Sequence, residues 1–195
     1  MDNWEKSLAY LLQSIDVKKE LNEQLDVLKA FDNLSQEQFD DLTSGWYIKH
    51  EEAAIVMQYL PIEQFYDRIR LLLEHLEDRN WSASGRIAKL LVLINERALP
   101  EIRRIFQQGA PQAIWLVTII EWVIFYWDDV LILQLKNELI EAVSYADAEG
   151  ASIAALRTLR RVLTMDEFEP LYQQLRNRYS GNASLTDDLD YALEK

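Results

Sequence analysis

Apolar residues recur every three or four positions along most of this chain, and nowhere do they alternate long enough to make a half-buried strand. The clearest block spans residues 71–163, broken only at Pro100, Pro111 and a few polar turns. Both prolines stand where a helix should begin, since the first turn needs no donor from that nitrogen and proline's fixed φ already suits it. The pattern predicts stacked α-helices.

Before that block, Asp2 is placed to cap a first helix with its stripe at Trp4, Leu8, Leu11, Leu12 and Ile15. A second helix is expected from about Asp16, with Val17, Leu21, Leu25, Leu28 and Phe31 inward and Lys18, Lys19, Glu20, Glu23 and Asp26 in water. Ser35 with Gln38 makes a capping box for a third, which Gly45 could end; Trp46 and Tyr47 then sit in a connector. A fourth helix is expected over residues 49–60, because Pro61 disfavours helical geometry in the residue before it.

From Pro61 a fifth helix carries Ile62, Phe65, Ile69, Leu72, Leu73 and Leu76 inward and ends in a polar turn at residues 77–80. Trp81 opens a sixth with Ile87, Leu90, Leu91 and Ile94, and Pro100 opens a seventh that Gly109 stops. The eighth, begun by Pro111, is apolar on almost every side as far as Trp127, which predicts burial between neighbours. After a break at Asp128 and Asp129, helical spacing resumes over 130–145, 153–163 and 168–175. The tail after Gly181, with Asp187, Asp188 and Asp190, is expected to fray or dock weakly.

Composition narrows the class. A 49% apolar chain of 195 residues can bury a substantial core, and 5 Gly and 4 Pro leave little turn chemistry for a many-stranded protein. All-α is the expected fold class, as an irregular α-solenoid of HEAT-like helical hairpins, with a compact multi-helix bundle as the alternative. The expected organisation is acidic N-terminal helices over residues 1–60, a helical domain over 61–180 and an acidic tail over 181–195. Cysteine is absent, so neither a disulfide framework nor a thiolate is available. No secretory signal is read in the acidic, polar first residues, and the apolar run at 113–127 is too short to cross a bilayer. A cytoplasmic protein is expected, with no membrane partner.

Formal charge is −13, a field that repels nucleic acid and attracts basic proteins. It is uneven: residues 1–80 hold 17 acidic and 8 basic side chains, net −9, and the remainder 16 and 12, net −4. Enzymatic constellations are few. His50 and Glu51 begin like a zinc-protease helix, but Ala54 stands where the second histidine is needed. His75, on a predicted amphipathic helix beside Glu74, reads as a lone surface histidine. The adjacent carboxylates Asp40–Asp41, Glu51–Glu52 and Asp128–Asp129 point about 100° apart on a helix and do not share a proton. No enzyme, cofactor or metal site is expected.

One segment is more specific. The run Leu72-Leu73-Glu74-His75-Leu76-Glu77-Asp78-Arg79-Asn80-Trp81, followed by Ala83 and the helix through Leu91, then Leu99-Pro100-Glu101-Ile102-Arg103 and Ile114-Trp115, resembles an uncharacterised bacterial HEAT-like domain family. The likeness covers residues 64–163, and Ser82 stands where the family usually has proline. Members are small cytoplasmic proteins, several beside polymorphic toxin genes, where immunity proteins are expected. The resemblance therefore implies an immunity protein that masks a cognate toxin, plausibly a basic nuclease-type effector; the alternative is a HEAT-like scaffold or adaptor without a toxin. The acidic residues Asp40, Asp41, Glu51 and Glu52 and the aromatic Trp46, Tyr47 and Tyr59 are the candidate partner-binding residues.

Overall fold

A computed structural model describes residues 7–44, 46–108, 113–145 and 150–194. Among these every regular element is helical and none is a strand. The chain divides into two compact units, Met1–Ile94 and Asn95–Lys195.

The first unit opens with α1 (Leu8–Leu12), capped by Ser7, whose Oγ accepts from the Tyr10 amide at 3.3 Å. Leu8, Leu12 and Ile15 are buried as expected, while Asp2 and Trp4 lie outside the described residues. The regular second helix is not formed. Its place is taken by a 3-10 turn (Leu21–Glu23), the single-turn α2 (Leu25–Leu28) and another 3-10 turn (Lys29–Phe31). Gln24 causes the interruption: its buried amide accepts from the Asp16 N–H at 3.1 Å and donates to the carbonyls of Asp16 and Lys19 at 3.1 and 3.2 Å. A buried glutamine that satisfies the preceding loop cannot also lie on the wet side of a helix. Leu28 and Phe31 are buried, but Leu25 is 45% exposed.

α3 (Gln36–Thr43) begins at the expected capping box, Ser35 Oγ accepting from Gln38 N at 3.2 Å and Gln38 Oε1 from Ser35 N at 2.9 Å. Gly45 lies outside the described residues. α4 (Glu51–Tyr59) is the centre of this unit: Ala53, Ala54, Ile55, Val56 and Met57 are buried in succession, and α4 packs against α3 and α6 (Ser84–Ile94). Beyond Pro61 the chain enters as a 3-10 segment (Ile62–Arg68), becomes α5 (Ile69–Glu74) and tightens again (His75–Glu77). Phe65, Ile69, Leu72, Leu73 and Leu76 still bury the expected stripe.

Polar side chains close the turn into α6. Asp78 Oδ1 accepts from the backbone and side-chain nitrogens of Asn80 at 2.9 and 3.0 Å, and Ser84 Oγ donates to the Asp78 carbonyl at 3.0 Å. Ser82 is bonded to the Lys49 carbonyl at 3.3 Å through its hydroxyl, which a proline could not supply. The Trp81 and His75 rings are in contact, with centroids 4.6 Å apart and planes tilted by 40°, and Lys49 Nζ sits 4.3 Å from the Trp81 ring. His75 is 2% exposed, so the surface position read from the sequence is wrong. Its ring lies under the indole instead of in water.

In the second unit, α7 (Leu99–Phe106) has Pro100 in its first turn, as expected. Gly109 and Pro111 lie outside the described residues. α8 (Ala113–Trp122) buries 115–120 but stops short of the expected end, and it is not covered all round: Ile114 is 52% exposed and Tyr126, in the following turn, 67%. Arg161 holds that turn by donating to the carbonyls of Phe125 and Trp127 and to Asp129, and Asp128 caps α9 (Asp129–Leu133) through the Leu131 amide at 2.8 Å. After α10 (Lys136–Val143), Gly150 takes φ 87° and starts α11 (Ala151–Leu159), which packs against α8, α10, α12 (Met165–Tyr179) and α13 (Ala183–Glu194). All of α11 except Arg157 is buried, and its small residues Ala151, Ser152, Ala154 and Ala155 admit neighbours closely. α13 forms from the acidic tail and docks, burying Leu189 and accepting at Asp190 from the Tyr172 hydroxyl at 3.1 Å. No helix among the described residues is long and apolar enough to cross a membrane.

Candidate partner-binding surface

The seven residues expected to face a partner all fall in the first unit and divide into three groups. Trp46 and Tyr47 precede α4, with His50 between them and the helix: the Trp46 and His50 rings are 5.2 Å apart and those of Tyr47 and His50 6.4 Å. Trp46 is 70% exposed while Tyr47 is half-buried. Ile48, one residue on, is buried and anchors this turn to the core, so the indole is held out by a fixed backbone.

The acidic members are not equivalent. Asp41 is exposed and Glu52 half-buried. Asp40 is bound internally, accepting from Arg68 and, at 2.9 Å, from Gln36. Glu51 pairs with Arg86 at 3.0 Å across α4 and α6, and Arg86 is joined further to Gln58 at 3.3 Å. Asp40 and Glu51 therefore brace the unit before they can attract anything.

Tyr59 closes the third group. Its hydroxyl donates to Asp32 at 2.6 Å, and this bond to a carboxylate raises the phenol above its usual pKa, because ionising it would place two anions together. Asp32 lines a groove of about 330 Å³ with Gln36, Phe39, Gln64, Asp67 and Arg68. Asp40 and Tyr59 thus flank one depression, through Arg68 and Asp32. None of Asp32, Gln64, Asp67 or Arg68 stood out in the sequence: they come from two separate segments that only the fold brings to one groove.

Among the described residues, no group of three or more His, Asp or Glu side chains could hold a metal ion. At His75, burial, and then the charge of Lys49, push the pKa down to about 4, and its Nε2 has no hydrogen-bond partner. A neutral imidazole sealed under an indole reaches no substrate.

The chain matches no protein-family model, no curated protein and no solved structure.

Proposed function

We propose that this protein binds another protein, and that the partner is a basic bacterial toxin whose active surface it masks as an immunity protein. The observation that supports this reading most directly is Trp46. Full burial of a large apolar side chain is worth about 1.5–3 kcal/mol, and the fold forgoes most of that by leaving the indole 70% exposed on an anchored turn. Tryptophan in such a position is the residue type most enriched among the anchors of protein interfaces. The surrounding unit has 17 acidic and 10 basic residues over Met1–Ile94, net −7, which favours a basic partner and its encounter at low salt.

The likeness of residues 64–163 to bacterial HEAT-like domains is part of this proposal. Pairwise packing of helices within each unit, α4 with α6 and α10 with α11, supports a reading as helical hairpins. Such an inhibitor acts in the cytoplasm, where a chain without cysteine needs no oxidative maturation. A scaffold or adaptor without a toxin is the second reading. A separate exposed apolar set in the second unit, Tyr126, Val130 and Leu133, favours it.

Affinity capture from the native host at two salt concentrations, with the wild-type chain and Trp46→Ala in parallel, tests the proposal. A basic protein retained by the wild type and lost by the variant is the expected result. The same set of proteins on both, or a partner with no toxic activity when expressed alone, overturns the immunity reading.

A further inference from the structure

We propose that the groove beside Phe39 is a subsite for an arginine side chain of the basic partner, with Asp32 and Asp67 meeting the guanidinium. It deepens the function proposed above and rests on that reading for its occupant, though not for its chemistry. The groove encloses about 330 Å³, at the small end of ligand pockets and suited to one side chain.

Its lining is rich in acceptors that the fold leaves open. Asp67 is exposed and has no partner among the described residues, and Asp32 uses one oxygen for the Tyr59 hydroxyl and keeps the other. Gln36 donates its amide nitrogen to Asp40, leaving its carbonyl oxygen available, and the exposed Gln64 brings a second amide. The cation in the lining, Arg68, is neutralised by Asp40. With Asp32, Asp67, Asp40 and Arg68 counted, the groove has a formal charge of −2.

The chain already shows how a guanidinium is held here. Arg68 lies 5.9 Å from the Phe39 ring while bonded to Asp40, an aromatic face and a carboxylate together. A second guanidinium finds the same two kinds of contact across the groove, in the half-buried Phe39 ring and in Asp67 with Asp32, over a floor closed by the buried Phe31. Arginine suits these acceptors better than lysine, because five N–H donors in a plane can meet two carboxylates and an amide oxygen at once. A metal ion fits poorly, since no group of three ligating His, Asp or Glu side chains occurs among the described residues.

Nuclear magnetic resonance titration of the full chain with N-acetyl-arginine amide tests this, with N-acetyl-citrulline amide as the uncharged isostere and N-acetyl-lysine amide as the ammonium control. Expected are saturable shifts confined to the side-chain amides of Gln36 and Gln64 and the backbone of residues 64–68, absent with citrulline and at least threefold weaker with lysine. Asp67→Asn should weaken arginine binding at least fivefold, and Gln64→Glu, which adds a carboxylate, should strengthen it. Shifts that stay linear or spread over the whole acidic surface overturn the subsite, as does an Asp67→Asn titration indistinguishable from wild type. Trp46→Ala should leave this titration unchanged while abolishing partner capture, so the subsite and the toxin-binding reading can fail separately.

Discussion

Acid should unfold this protein partly through one imidazole. His75 is 2% exposed, packed against the Trp81 ring, and its folded-state pKa is about 4 against 6.5 in the unfolded chain. The unfolded chain therefore takes up a proton that the folded one resists. The stability this represents is fully present above pH 6.5, falls as pH drops through the interval, and levels off below about 4. At about 1.4 kcal/mol per pKa unit, the loss is about 2 kcal/mol by pH 5 and about 3 kcal/mol by pH 4. Many carboxylates titrate in the same range, so the measurement is a difference: urea unfolding followed by tryptophan fluorescence, wild type against His75→Phe, from pH 8 to 4 at constant ionic strength. The phenyl ring keeps an aromatic contact with Trp81 and removes the titration. The wild type should lose those amounts of stability relative to the variant as pH falls. Parallel curves, or a His75 C–H resonance titrating near 6.5, refute the assignment.

Trp81→Ala should cost about 2 kcal/mol by chemical denaturation, below the ~3–5 kcal/mol of a fully buried tryptophan because the ring is only half-covered; a cost under about 0.5 kcal/mol would mean the indole braces nothing. Leu156→Ala in α11, at 0% exposure, should cost ~2–5 kcal/mol, while Val130→Ala, at 72% exposure, should stay within about 0.5 kcal/mol; equal costs would contradict the placement of the second core. Charge reversal at Asp40 or Glu51 should lower stability as well as association rate, since each would repel its own arginine, whereas reversal at Asp41 should alter association alone. Thermal unfolding beside association kinetics separates the two effects.

What could be read from the sequence was what periodicity and capping chemistry encode. The α3 capping box, the proline in the first turn of α7, the break at Asp128 and the stripe from Phe65 to Leu76 needed only local rules. The failures have tertiary causes. Gln24 lies inside the stretch expected as a second helix and is instead a buried hub for the loop before it. α11 drew no special notice because alanine and serine score weakly as apolar, yet their small size makes that helix the centre of the second unit. His75 needed the Trp81 ring packed against it to become a core residue. For the candidate surface, the exposure of Trp46 follows from the anchoring of Ile48, and the internal pairing of Asp40 and Glu51 from arginines 28 and 35 residues away. Contacts at that separation leave no mark in local spacing.

Binding kinetics with the product of the reading frame adjacent to this gene test the central claim most directly, measured by surface plasmon resonance for the wild type and Trp46→Ala at low and high salt. The account predicts specific binding whose on-rate falls as salt rises, and a faster off-rate without the indole. No binding, or binding indifferent to both salt and Trp46, would contradict it.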